Sequence, residues 1–79
     1  KSKPHPEVFL KGAEMLGVNP KSIIVFEDSI AGINAANKAK MISIAVCDNK
    51  MIENAKFNFN SLEDISVEFL ETLNLNESK

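Results

Sequence analysis

Ile23-Ile24-Val25-Phe26-Glu27-Asp28-Ser29 is the stretch that decides the fold. Four apolar residues run into two carboxylates and a hydroxyl. An unbroken β-branched and aromatic run suits a strand buried on both faces, as in a parallel sheet. The polar residues then fall at the C-terminal end of that strand, the edge where open α/β sheets bind ligands. Adjacent carboxylates repel each other, and burying them unpaired is costly. A divalent cation relieves both problems, and hard oxygen donors suit magnesium. The same residues also suit a polar strand end, with Asp28 or Ser29 capping the next helix.

Downstream, the pattern predicts a helix from Ile30 to Ala39, with Ile33, Ala36 and Ala39 or Lys40 on its inward side. Its small residues Ala31, Gly32, Ala35 and Ala36 allow close approach to a sheet. The N-terminus of this helix would point toward the carboxylates, leaving backbone N–H groups for an anion. Met41 to Val46 reads as a second buried strand ended by Cys47-Asp48-Asn49, and a short helical turn is expected over Lys50 to Asn54. Lys56 to Asn60, with Phe57 and Phe59 alternating, reads as an edge strand. Ser61 is placed to cap a turn or helix. Ile65, Phe69, Leu70 and Leu73 give a last amphipathic helix, and Leu75 to Lys79 a polar tail.

Upstream, Pro6 suits the first turn of a helix running to Leu16, because its missing N–H is not needed there. Phe9, Ala13 and Leu16 share one face, Val8 widens it, and Gly17 is a natural stop. The resulting order alternates helices and strands, which implies an α/β fold with a parallel sheet and helices on both faces. About three strands make a small sheet of this kind, so the expectation is that residues 1–79 form part of a larger one.

Composition narrows the function classes. The chain has 79 residues, a single domain at most. A domain of this size buries only about 60% of its unfolded surface. The formal charge of −2 and the lack of a basic run argue against a nucleic-acid partner or a membrane patch. No apolar run is long enough to span a bilayer. The one cysteine, Cys47, has no internal disulfide partner, which suits a reducing cytoplasm. Cys47 also lacks a histidine context that would mark a nucleophile, and His5 has no companion metal ligand. The chain begins at Lys1 rather than Met, so an upstream part is expected.

Two motifs carry a resemblance. Ser2-Lys3-Pro4-His5-Pro6-Glu7-Val8-Phe9 is followed by Val25-Phe26-Glu27-Asp28-Ser29-Ile30-Ala31-Gly32-Ile33-Asn34-Ala35-Ala36. Together they resemble the haloacid dehalogenase superfamily, and most closely its β-phosphoglucomutase-like branch of sugar-phosphate phosphatases and mutases. Ala55 to Glu63 is similar to the last core strand of that family and the turn after it. The resemblance implies a Rossmann-like three-layer α/β/α core. It also implies that Lys3 is catalytic and substrate-binding, neutralising a nucleophilic aspartate and the transferring phosphoryl group. Glu27 and Asp28 match the acidic motif that holds Mg2+, which offsets charge during phosphoryl transfer. Ser29 matches a hydroxyl at the same edge, either a substrate contact or a helix cap.

The chain departs from the family pattern in two places. The family reaction uses an Asp-x-Asp pair on a first strand, whereas the aspartates here are Asp28, Asp48 and Asp64, none so paired. The nucleophile strand, the phosphate-binding Ser/Thr strand and the cap domain are expected before Lys1. The family also turns from helix to strand with Ala-Gly-Met, where this chain has Ala39-Lys40-Met41. Lys40 is therefore expected in a left-handed conformation that costs about 1 kcal/mol relative to Gly.

Two functions compete on these grounds. One is the C-terminal part of a magnesium-dependent phosphatase or phosphomutase. It would act on a small phosphorylated metabolite, a sugar phosphate, through an aspartyl-phosphate whose nucleophile lies outside residues 1–79. The other is a non-catalytic module that pairs with another chain. In either case the uncovered sheet edge is expected to pair with the missing N-terminal part or to drive self-association.

Overall fold

The computed structural model describes Pro6 to Ser78, with side-chain burial through Leu73. Lys3 and His5 lie outside the described residues. The elements are helix α1 (Pro6–Leu16), strand β1 (Ile24–Glu27), helix α2 (Ile30–Lys38), strands β2 (Ile42–Val46) and β3 (Phe57–Phe59), and helix α3 (Val67–Ser78). Short 3-10 turns at Pro20–Ser22 and Leu62–Asp64 lead into β1 and α3. The expected Rossmann-like α/β fragment is therefore present, with element bounds that match the sequence expectations closely.

The three strands form one parallel sheet in the order β1-β2-β3. Ile24 pairs with Ile42 and Phe26 with Ile44. On the other side of β2, Ile44 pairs with Phe57 and Val46 with Phe59. Alternation along β2 divides the core in two. Ala45 packs with Ile33 of α2, while Ile42 and Ile44 pack with Leu73 of α3. Ala13 of α1 joins Ala39 and Met41, with Phe9, Ile23 and Val25 against them. Helices α1 and α2 thus cover one face and α3 the other. The central strand β2 is buried over Ile42 to Ala45, as a strand covered on both faces must be.

Helix α2 lies close to the sheet because its contact face is made of small residues. Gly32, Ile33, Ala35 and Ala36 are buried. Ala39 is buried and Lys40 exposed, which settles which of the two faces inward. On the opposite layer, Phe69 meets Phe57 edge-on at 4.9 Å between ring centres and Phe59 at 5.3 Å. This is the arrangement that aromatic quadrupoles favour.

Both α1 and α2 end in the same motif. At the end of α1, Gly17 has φ 69°. Its N–H reaches the Glu14 carbonyl at 3.1 Å, and the Val18 N–H reaches Ala13 at 3.0 Å. At the end of α2, Lys40 has φ 66°. Its N–H reaches Asn37, and the Met41 N–H reaches Ala36, each at 3.0 Å. These are paired Schellman caps. The left-handed Lys40 expected from Ala39-Lys40-Met41 is present.

Four expectations need correction. Strand β1 is not buried on both faces: Ile24, Val25 and Glu27 are half-buried and Phe26 is 41% exposed, because among the described residues β1 pairs with a strand on one side only. Of the face expected on α1, Phe9 and Ala13 meet the core while Val8 and Leu16 stay exposed. The helical turn over Lys50 to Asn54 does not form. Instead the Asn58 side chain grips the backbone of Ile52 from both sides. Its Oδ1 accepts from the Ile52 N–H at 2.8 Å, and its Nδ2 donates to the Ile52 carbonyl at 3.2 Å. A backbone so held has no need of helical bonds. The polar tail from Leu75 is also helical, since α3 continues to Ser78. No Gly or Pro intervenes after Leu73 to stop it.

The β2 to β3 crossover spans Cys47 to Lys56 without a helix. Parallel crossovers usually need one. Here Ile52 and Ala55 pack beside Ile33 and Ala45, and a polar chain fastens the rest. Asn54 Nδ2 donates to Asn34 Oδ1 at 3.0 Å, and Asn37 Nδ2 donates to the Asn54 carbonyl at 2.8 Å. The Ser43 hydroxyl donates to Asn37 Oδ1 at 2.7 Å and accepts from the Lys56 N–H at 3.1 Å. Ser43 is fully buried in the middle of β2. Both hydrogen-bonding roles of its hydroxyl are filled, which makes that burial affordable.

Candidate active site

Glu27 is the last residue of β1, and Asp28 and Ser29 form the turn into α2. The parallel sheet places them at its C-terminal edge. Ser29 is the N-cap of α2, with extended backbone and its Oγ accepting from the Gly32 N–H at 3.0 Å. Of the roles open to this hydroxyl in the sequence, the cap is the one the structure displays. Its acceptor capacity toward the helix is used, and its O–H remains able to donate to a ligand.

Glu27 is half-buried and lies over the first turn of α2. A Cβ built on Gly32 would overlap its carboxylate and lie 2.7 Å from its Cγ. Gly32 is therefore the space that Glu27 occupies. Asp28 is exposed beside it. Both carboxylates line an open cleft of about 340 Å³ with Phe26, Val46 and Leu62. A second recess, about 460 Å³, continues from Asp28 and Ser29 to Cys47, Lys50 and Met51 on the loop after β2. The sequence reading singled out Glu27, Asp28 and Ser29, and the fold brings them to one edge. Lys50 was not singled out. It lies in a loop whose path depends on Asn58 rather than on any local pattern.

The donor set fits part of a magnesium shell. Among the described residues, no group of three or more His, Cys, Asp or Glu converges on one point. Two carboxylates at one edge is the number that magnesium commonly takes from protein, the remainder being water and substrate phosphate. Cys47 is a half-buried free thiol at the end of β2.

These features define an α/β chain with an acidic pair at the carboxyl edge of a parallel sheet. The haloacid dehalogenase-like hydrolase family profile matches residues 1–46, and the chain belongs to that family, in its β-phosphoglucomutase-like branch. Over 45 residues it is 49% identical to hexitol phosphatase B of Escherichia coli K12, covering 57% of this chain and 20% of that one. Over 70 residues it is 34% identical to the β-phosphoglucomutase of Bacillus subtilis, covering 89% of this chain and 31% of that one. The crystal structure of β-phosphoglucomutase from Clostridium difficile superposes with a TM-score of 0.81 at 36% identity. That match covers 96% of this chain and 34% of the other. The chain thus spans between a fifth and about a third of the length of these relatives.

Proposed function

We propose that this chain is the acidic-loop portion of a magnesium-dependent phosphatase or phosphomutase acting on a sugar phosphate. The observation that carries the reading is the Glu27-Asp28 pair at the open C-terminal edge, with Gly32 vacated for Glu27. Glu27 and Asp28 would hold Mg2+, which supplies charge compensation to the phosphoryl group in transfer. Glu27 is seated by packing against α2, so its carboxylate is oriented before a ligand arrives. Asp28 is exposed and lines the cleft. Ser29 fixes the start of α2 and leaves its O–H for a substrate oxygen. Lys3 would balance charge on the phosphoryl group as a compact ammonium. The nucleophilic aspartate of an aspartyl-phosphate route would come from outside residues 1–79, on a strand laid along the free edge of β1. The names hexitol phosphatase and β-phosphoglucomutase among the relatives favour a sugar phosphate as substrate. A cytoplasmic setting accords with this chemistry, and no described helix is long and apolar enough to cross a membrane.

The test is complementation. The 79-residue chain alone should not hydrolyse a generic phosphate ester above background. Joined to its upstream segment, it should show magnesium-dependent turnover. In that protein Asp28→Ala should cost activity that excess magnesium recovers only in part, while the loss from Lys3→Ala should be insensitive to magnesium. Metal-dependent turnover by the 79-residue chain alone would overturn the division of labour. Failure of the joined protein to turn over any sugar phosphate would favour the non-catalytic pairing module, which the unpaired edge of β1 also suits.

A further inference from the structure

Each of the three parallel strands is preceded by a lysine. Lys21 lies in the 3-10 turn before β1, Lys40 two residues before β2, and Lys56 immediately before β3. Parallel strands begin at the same edge of the sheet, and neighbouring strands are about 4.8 Å apart. The three cations are therefore gathered at the pole opposite Glu27 and Asp28. They line one cleft of about 390 Å³, together with Met41 and Ile42. None of these five lining residues is acidic, although the chain as a whole carries a net charge of −2.

Chance placement of surface lysines accounts poorly for Lys40. It occupies a left-handed helix end at φ 66°, the conformation that glycine adopts most readily. The equivalent end of α1 carries Gly17 at φ 69°. At α2 the chain keeps a long cationic side chain where glycine would be easier, and that side chain borders the cleft shared with Lys21 and Lys56. Strained backbone of this kind concentrates where a side chain is needed. A multivalent anion seated in the cleft would meet three ammonium groups at once.

We propose that the cleft bordered by Lys21, Lys40 and Lys56 binds a compact multivalent phosphate, a pyrophosphate group, at the pole of the sheet opposite the acidic pair. Lysine suits this ligand as a mobile point charge, with no need for the planar fork of arginine. The site does not depend on the phosphatase reading, since it shares no residue with Glu27, Asp28 or Ser29. The pyrophosphate group could be free or belong to a nucleoside diphosphate, and the experiment separates the two.

Calorimetric titration of the purified protein at low ionic strength provides the test, with pyrophosphate, orthophosphate and ADP as ligands. Pyrophosphate should bind saturably and orthophosphate much more weakly. Binding should fade as salt approaches ~1 M, where screening acts within about 3 Å. Lys21→Gln, Lys40→Gly and Lys56→Gln should each weaken pyrophosphate about fivefold, the loss of one cation contact near 4 Å in water. Lys11→Gln, on exposed α1, should not. Lys40→Gly is the discriminating variant, because it relieves the backbone while removing the charge, and its urea midpoint separates lost binding from lost stability. ADP tighter than pyrophosphate assigns a nucleotide source, and ADP equal or weaker assigns the free ion. The proposal is overturned by absence of saturable binding, by orthophosphate binding as tightly as pyrophosphate, or by an equal loss from Lys11→Gln. Binding that survives the three cleft substitutions belongs to another part of the surface and overturns it too.

Discussion

The Glu27 side chain lies in the volume that a side chain at position 32 would need, so the acidic residue at the end of β1 and the glycine in the first turn of α2 are one device. The coupling has a testable sign. Alanine is a better helix former than glycine by up to ~1 kcal/mol. Gly32→Ala in the native background gains that propensity but displaces Glu27. In a Glu27→Ala background the obstruction is gone and the gain should be realised. The double variant should therefore be more stable than Glu27→Ala alone by up to ~1 kcal/mol, with a smaller gain or a loss for Gly32→Ala by itself. Urea denaturation of the four proteins closes the cycle. Additive effects would mean that Glu27 moves aside at no cost. On the proposed magnesium reading, Gly32→Ala should also weaken magnesium binding, read by calorimetry, because it moves one of the two carboxylates.

The end of α2 gives a second prediction. Lys40 at φ 66° carries a conformational cost of about 1 kcal/mol that glycine lacks. Lys40→Gly should raise stability by up to that amount. The gain is diminished by the extra freedom that glycine brings to the unfolded chain. A shift of the urea midpoint to higher concentration with unchanged slope is the expected result. A lower midpoint would show that the Lys40 side chain stabilises the fold by more than its backbone costs.

How far this fold was legible in sequence follows from the range of the forces that make it. Pro6, Gly17, Ser29 and the left-handed Lys40 act within one helical turn, and each is where the sequence places it. The apolar runs into Glu27 and through Val46 gave the strands to within one residue. The clearest failure of path lies in the loop after β2. Its path is set by Asn58 reaching back to Ile52 and by Asn54 reaching Asn34 and Asn37, contacts across 6 to 20 residues of sequence. No local periodicity encodes a side-chain amide acting as a strand partner. Lys50 was hidden with that loop, whereas the convergence of Lys21, Lys40 and Lys56 follows once three parallel strands are known to start at one edge. Sequence showed the carboxylates at the strand end, but the room that Gly32 leaves for Glu27 is visible only in the fold.

Ser43 offers a third prediction. Its hydroxyl is fully buried and holds both Asn37 and the Lys56 N–H. Ser43→Ala leaves those two groups without that partner, although the exposed Asn37 amide can turn to water. The Lys56 N–H keeps its bond to the Ser43 carbonyl at 3.0 Å, so the loss falls chiefly on Asn37. The cost should be about 0.5–1.5 kcal/mol by thermal or urea unfolding. Asn37→Ala in the Ser43→Ala background should then cost clearly less than Asn37→Ala in the native chain, because part of the network is already broken. Equal costs in the two backgrounds would show that Ser43 and Asn37 contribute independently.

The last prediction concerns β1, which ends the sheet on one side among the described residues. The Ile42 N–H bonds to the Ile23 carbonyl at 2.9 Å, so in the alternation of a parallel ladder Ile24 and Phe26 direct their backbone groups away from β2. Phe26 is also 41% exposed. An edge of this kind, apolar and without a guarding Lys or Pro within the strand, recruits another strand. The 79-residue chain by itself should therefore sediment with concentration-dependent mass. Phe26→Lys should shift it toward monomer by placing a charge on the edge. If the chain sediments as a monomer at every concentration and unfolds cooperatively, β1 needs no partner and the edge does not recruit one.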